Sequence, residues 1–299
     1  MNIILSVKNL SKSYSFVRAL DDVSFDVPQG SVFGILGPNG SGKTTLLGIV
    51  MDVLRANKGN FFWFGQPGAS PAQRKKIGSL LETPNFYSYL SATDNLKITQ
   101  AISGRGTKKD IDDVLRKVNL YDRRWSAFKS FSLGMKQRLA IGAALLGNPK
   151  VLVLDEPTNG LDPVGIAEIR NLIVELKERG HTIIMASHLL DEVEKVCTHA
   201  AILKTGNIIT TGSVEEIMME EDVVELSAAD INALSVIAKQ LSETVFIDEK
   251  SNTVQIVLPK GTAKLDQINR FCFDKGIVLS LLVMRKKKLE ARFFELTNN

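Results

Sequence analysis

GPNGSGKT, Gly37–Thr44, governs how the rest of this sequence is read. Gly37, Gly42, Lys43 and Thr44 fill every fixed position of the pattern G-x-x-x-x-G-K-[ST]. Each residue type suits a phosphate. Glycines let backbone N–H groups curl around an anion with no side chain in the way. Lys43 can set a point charge against β- and γ-phosphates. Thr44 can offer a hydroxyl to Mg²⁺. A helix opening here would point its positive end at the anion. The expected nucleotide-binding run is therefore Gly37, Pro38, Asn39, Gly40, Ser41, Gly42, Lys43, Thr44 and Thr45.

The flanking segments give that loop its frame. IILSVKNL, ALDDVSFDV and SVFGIL are β-rich and separated by turn residues, so they predict short strands, the third ending at Gly37. TTLLGIVMDVLR, after the loop, has helical spacing. A turn at Lys58–Asn60 and a strand or hairpin arm in FFWFG follow. From about residue 84 to 148 the pattern is mainly helical. TDNLKITQAIS, KDIDDVLRKVNL and GMKQRLAIGAALLG recur at i, i+3, i+4. Starts are expected at Thr93-Asp94 and Lys109-Asp110, and Pro149 stops the last helix. Then come a buried strand, VLVLD, a helix, IAEIRNLIVELKERG, and a strand, HTIIMAS. Alternation of strands and helices predicts an α/β core with a largely parallel sheet.

VLVLD ends in a carboxylate pair, Asp155-Glu156. Asp155 stands where a phosphate-loop ATPase needs a carboxylate in the metal shell. Glu156 stands one residue on, where a base can polarise the attacking water. An acidic strand end facing solvent is the bland alternative, and the Gly-rich loop upstream argues against it.

After about residue 222 the character changes. DVVEL, TVFID, TVQIVL and IVLSLLV predict strands, and INALSVIAKQLS and AKLDQINRFCFDKG predict helices. The order βαββαβ points to a small α+β ferredoxin-like module at 222–299, after a nucleotide-binding domain at 1–221. The 299 residues have room for one large or two modest domains, with a substantial core and no need of disulfides. Cys197 and Cys272 read as reduced packing thiols. A net charge of +4 is too mild to argue for nucleic acid. No signal peptide and no apolar run of about 20 residues stands out.

The segment FSLGMKQRLAIGAALLGNP, directly before VLVLDEPTNGLD, separates the possible phosphate-loop ATPases. It resembles the signature of ABC transporter ATP-binding subunits, with Ser132, Gly134, Gln137 and Arg138 matching. The feature order also resembles that family: an aromatic at Tyr14, the phosphate loop, the signature, the carboxylate pair, Asn159–Asp162, and His188 after the next strand. The resemblance covers roughly residues 3–220 and implies a phosphate-loop NTPase fold with a helical subdomain. By the same resemblance, Tyr14 stacks on adenine, and Lys43, Glu156 and His188 are catalytic. Ser132 and Gly134 would contact ATP held by a second protomer, and Asp162 lies in the segment linking the two sites. Thr44, Asp155 and Glu82 would hold Mg²⁺. Leu133 and Met135 depart from the usual Gly and Gln, and Glu82 replaces the usual glutamine. His181 and His199 read as structural.

Those departures resemble the bacitracin-resistance and lantibiotic-immunity branch of bacterial exporters. LEARFFELT at the end is also similar, with Leu289, Phe293 and Leu296 on one helical face. Arg285–Lys288 reads as a solvated charged face. The implied function is ATP hydrolysis driving a separate multi-span permease, with export of an antibiotic peptide, drug or lipid-like compound. The protein would then sit in the cytoplasm, on the inner face of the membrane. The alternative is a non-transport ABC ATPase acting on nucleic-acid or ribosome machinery.

Overall fold

The computed structural model describes residues 2–68, 70–81, 85–218, 221–248, 251–259 and 261–285. The chain forms two compact units, Met1–Ser213 and Val214–Asn299. The first unit opens with a long antiparallel hairpin, β1 (Ile3–Tyr14) and β2 (Val17–Pro28), followed by β3 (Val32–Leu36) and α1 (Lys43–Val50). β4 (Lys58–Trp63) and β5 (Gln66–Pro67) extend the hairpin into a sheet ordered β2-β1-β4-β5. Next come α2 (Pro71–Arg74), β6 (Ile77–Leu80), α3 (Ala92–Ser103), α4 (Lys108–Lys117) and α5 (Leu133–Leu145). β7 (Val151–Asp155), α6 (Pro163–Glu178), β8 (Thr182–Ser187), α7 (Leu190–Val196), β9 (His199–Lys204) and β10 (Asn207–Ser213) complete the unit.

Six strands make the central sheet, in the order β10-β9-β3-β8-β7-β6. All neighbours are parallel except β10 with β9. Every residue of β3, β7 and β8 is buried. Continuous apolar runs of this kind are what parallel strands covered on both faces require. One core cluster joins this sheet to the hairpin sheet and α1 through Leu5, Leu20, Phe33, Leu47, Trp63 and Ile184.

α1 is shorter than TTLLGIVMDVLR suggests. The amides of Val53 and Leu54 turn back to the Gly48 carbonyl at 2.9 and 3.0 Å. Asp52 adopts φ 60°, and the Trp63 indole N–H donates to the Val50 carbonyl at 2.7 Å. The apolar residues beyond Val50 thus pack on the helix end instead of prolonging it.

Helix starts in the 92–145 region follow side-chain caps. Ser91 Oγ accepts from the Asp94 N–H, and Thr107 forms a reciprocal capping box with Asp110. These caps lie just before the starts expected at Thr93 and Lys109. α2, β6, α7, β9 and β10 had no counterpart in the periodicity, being short elements whose existence depends on neighbours.

The second unit runs α8 (Val214–Met218), β11 (Glu221–Ala228), α9 (Ile231–Ala238), β12 (Thr244–Asp248), β13 (Thr253–Pro259), α10 (Leu265–Asp274) and β14 (Leu279–Arg285). Its sheet order is β12-β13-β11-β14, antiparallel throughout. Together with the chain order of β11 to β14, this is the ferredoxin-like arrangement. Val224, Leu226, Val254 and Ile256 meet Leu234, Ile268 and Cys272 in a separate core. Arg285 is not simply solvated: its Nε donates to Glu225 Oε2 at 2.5 Å. Residues 286–299, including Leu289, Phe293 and Leu296, lie outside the described residues.

Both cysteines are free and buried, and burial pushes both thiols up. His181 is buried with Nδ1 2.8 Å from the Pro149 carbonyl, and burial, the largest influence, lowers its pKa. The unfolded chain, titrating near about 6.5, then takes up a proton that the folded one resists. His181 therefore contributes stability above that pH, and the contribution drains away as pH falls. Urea denaturation of His181→Gln should show a weaker loss of stability between about pH 7 and 5 than the parent shows.

Candidate functional site

The site is built by strand register. In the parallel sheet Leu36 pairs with Ser187, and Asp155 pairs with Ala186. The residues just past these ends are Gly37, His188 and Glu156. Three chain segments, far apart in sequence, thereby leave the sheet at one edge. Crevices outside the carboxyl ends of parallel strands are where open α/β sheets bind ligands.

The loop between β3 and α1 is shaped by glycines that cannot be replaced without moving backbone. A Cβ on Gly37 would stand 2.3 Å from the Leu203 carbonyl oxygen and 2.5 Å from Ser41 Oγ. Gly42 has φ 109°, and a Cβ there would stand 2.4 Å from the Ala19 carbonyl oxygen. Gly40 has φ 81° but open space around it. Ser41 Oγ is buried and has no hydrogen-bond partner among the described residues. Gly42 caps α1 without a side-chain hydrogen bond, and its first turn holds no acidic residue. The first N–H groups of the helix are thus left to an incoming anion. Pro38, Asn39 and Thr44 are exposed, and Thr45 is half-buried. The cradle, the orphaned hydroxyl and the helix end all fit a bound polyphosphate.

Lys43 is only 6% exposed. Its Nζ donates to the carbonyls of Gly37 at 2.7 Å and Pro38 at 3.2 Å, and lies 3.4 Å from Glu156 Oε1. An ammonium taken out of water needs such partners. The other oxygen of Glu156 lies 2.8 Å from His188 Nδ1. Glu156 itself sits at φ 47°, with its N–H donating to the Ala186 carbonyl at 3.0 Å. Strained non-glycine backbone of this kind concentrates at functional sites. Asp155, at the end of β7, is buried beside it. Lys43, Glu156 and His188 thus form one continuous polar chain. The pairing of Lys43 with Glu156 has no signal in sequence spacing, and neither has the walling of the loop by Ala19 and Leu203, which act through backbone oxygens.

The remaining expected residues lie apart from that chain. Ser132 is exposed and N-caps α5, its Oγ accepting from the Met135 N–H at 3.2 Å. Gly134 has open space around it in the first turn. Among the described contacts, none joins either residue to Lys43, Glu156 or His188. Asp162 N-caps α6, its Oδ1 accepting from the Gly165 N–H at 2.9 Å. Tyr14 ends β1 with its ring 43% exposed and the Lys12 ammonium 4.9 Å from the ring centroid. Glu82 lies outside the described residues.

Comparison with known proteins agrees with this geometry. The ABC transporter family matches residues 20–159. The ATP-binding protein YhcH of Bacillus subtilis, described as an uncharacterised ABC transporter component, is 37% identical, over 99% of this chain and 97% of that protein. The chain belongs to the ABC transporter ATP-binding proteins. The bacitracin transport ATP-binding protein BcrA of Bacillus licheniformis is 34% identical, over 99% of this chain and 98% of its own. The lantibiotic transport ATP-binding protein SrtF of Streptococcus pyogenes is 41% identical, over 69% of this chain and 89% of its own. Among solved structures, the ADP form of the cassette MJ1267 superposes with a TM-score of 0.66 at 29% identity, covering 72% of this chain and 93% of that one. The dimeric post-hydrolysis form of the cassette MJ0796, bound to ADP and Pi, gives 0.64 at 25% identity, covering 71% and 99%.

The protein is therefore an ATP-binding, ATP-hydrolysing ABC subunit, similar to the bacitracin and lantibiotic branch. The three relatives are all described as transport proteins, so the non-transport alternative gains no support. Among the described residues no helix is long and apolar enough to cross a membrane. Proteins of this family act in pairs beside a separate membrane permease.

The two loop glycines with positive φ should respond unequally to alanine. Gly40→Ala meets only the left-handed backbone penalty, about 1–2 kcal/mol. Gly42→Ala adds the collision with the Ala19 carbonyl and should cost at least about 1 kcal/mol more. Urea denaturation of the two variants and titration with a fluorescent ATP analogue should both rank Gly42→Ala as the more damaged.

Proposed function

We propose that the Lys43–Glu156–His188 chain is the hydrolytic centre of an export motor, and that its cargo is a bacitracin-like or lantibiotic peptide. The observation that carries the reading is the convergence of those three side chains beside the glycine cradle of Gly37–Gly42. Lys43 would leave Glu156 and the loop carbonyls for the phosphates. Glu156 would then be free to orient the attacking water, held in place by His188. Tyr14 would support the base.

Mg²⁺ would be held by Thr44 and Asp155, with Glu82 as a further ligand, and would supply charge neutralisation on the phosphate oxygens. Among the described residues no group of three or more His, Cys, Asp or Glu side chains comes together to hold a metal. That agrees with an ion held by one or two protein ligands and the substrate's own phosphates.

Ser132 and Gly134, remote from Lys43 in their own chain, would complete the site of a second protomer, either an identical chain or a close relative. Asp162, as the cap of α6, would fix the segment that runs between the sites. A multi-span permease would form the cargo path, placing this protein at the cytoplasmic face of the membrane. The similarity to BcrA and SrtF supports the cargo class. The module from residue 222 onward would be a regulatory or dimer-supporting addition, since it holds none of the expected site residues.

The experiment pairs biochemistry with susceptibility. Glu156→Gln should bind ATP like the parent, hydrolyse it at least about 100-fold more slowly, and accumulate as a dimer in ATP. A sensitive bacterial host given the parent and its permease should gain resistance to bacitracin or a lantibiotic, and the same host with Glu156→Gln should not. Hydrolysis by Glu156→Gln at the parent rate would refute the catalytic assignment. Unchanged susceptibility to both peptide classes would refute the cargo.

A further inference from the structure

Leu133 stands in the signature segment, where the family usually has glycine, and its surroundings give it a task. It opens α5, next to Ser132, and is 50% exposed. Its Cδ2 lies 3.3 Å from where a Cβ on Gly160 would sit. Gly160 belongs to the turn that begins at Glu156: the Asn159 N–H donates to the Glu156 carbonyl at 3.1 Å, and the Leu161 N–H to the Thr158 carbonyl at 3.3 Å. The turn then enters α6 through the Asp162 cap.

A second fastening lies one turn along α5. Arg138 is largely buried, with Nε 3.6 Å from Glu168 Oε2 on α6. Its guanidinium also donates to the carbonyls of Asn119 at 3.3 Å and Val118 at 3.5 Å, at the end of α4. α5 is therefore held to the 156–168 segment at two heights, by an apolar contact and by an ion pair.

We propose that Leu133 is a positioning residue that transmits the placement of the signature to the Glu156 turn within the same protomer. The inference rests on the composite two-protomer site proposed above. In that site the signature of one chain meets the nucleotide of the other. A shift of Ser132 and Gly134 towards that nucleotide carries Leu133 with it. Through Gly160, the turn beginning at Glu156 is pressed into one arrangement. Occupancy of the partner's nucleotide site thus orients the base that serves the chain's own. Glycine at 133 has no side chain to make this contact, so the departure from the usual signature becomes a gain of coupling. The Arg138–Glu168 pair keeps α5 and α6 from sliding, so that the movement reaches Gly160.

The test compares Leu133→Gly with Leu133→Met in the full-length protein. Leu133→Gly should lower kcat about 5- to 20-fold, the range expected of a coupling residue, and reduce the Hill coefficient for ATP from near about 2 towards 1. Equilibrium binding of a fluorescent ATP analogue to the dilute protomer should change less than about twofold, since Leu133 is no part of its own chain's nucleotide cradle. Leu133→Met restores an apolar chain of similar volume and should recover both kcat and cooperativity. A Leu133→Gly protein with the parent's kcat and Hill coefficient overturns the inference. So does a Leu133→Met protein as impaired as Leu133→Gly. A parent that hydrolyses ATP without cooperativity overturns instead the two-protomer reading on which the inference rests.

Discussion

The site depends on the parallel register of β3, β8 and β7. A parallel ladder fixes which residues stand side by side, and a one-residue slip would turn every side chain to the opposite face. Here Leu36 beside Ser187, and Asp155 beside Ala186, set Gly37, His188 and Glu156 at a common edge. The register is in turn secured by burial, because all the residues of these strands are enclosed on both faces. Core packing and catalytic placement are thus one constraint.

Around that edge the backbone does most of the recognition. The loop presses against carbonyl oxygens of Ala19 and Leu203 so closely that Gly37 and Gly42 have no room for a side chain. The same closeness leaves the start of α1 without a capping side chain, so its amides stay available. The one strong charge inside the cradle, Lys43, is kept by carbonyls and by Glu156. A buried ammonium with replaceable partners is suited to exchanging them for phosphate oxygens, because the cost of desolvation is already met in the folded chain.

Much of this was legible in the sequence, for identifiable reasons. Apolar runs as uniform as VLVLD and TIIMAS have one stable solution, a doubly covered strand. The βαββαβ alternation after residue 222 survived into an antiparallel sheet ordered β12-β13-β11-β14. What misled the periodicity was local. TTLLGIVMDVLR keeps helical spacing past Val50, yet Trp63, thirteen residues on, takes the Val50 carbonyl, and the chain turns back on Gly48. Short elements such as β6, α7 and β10 carry too few residues to show a period.

The sequence by itself determined the chemistry: which residue types could cradle a phosphate, polarise water and cap helices, and in what order they occur. Those properties are local, since glycine's freedom, a lysine's charge and an apolar strand run need no partner to be recognised. Only the tertiary structure decided which of them meet. Lys43 with Glu156, Glu156 with His188, and Leu133 over Gly160 join positions that no spacing rule relates. Their contacts follow from strand order and helix packing, which burial of the whole core selects at once, and that is a property of the assembled chain.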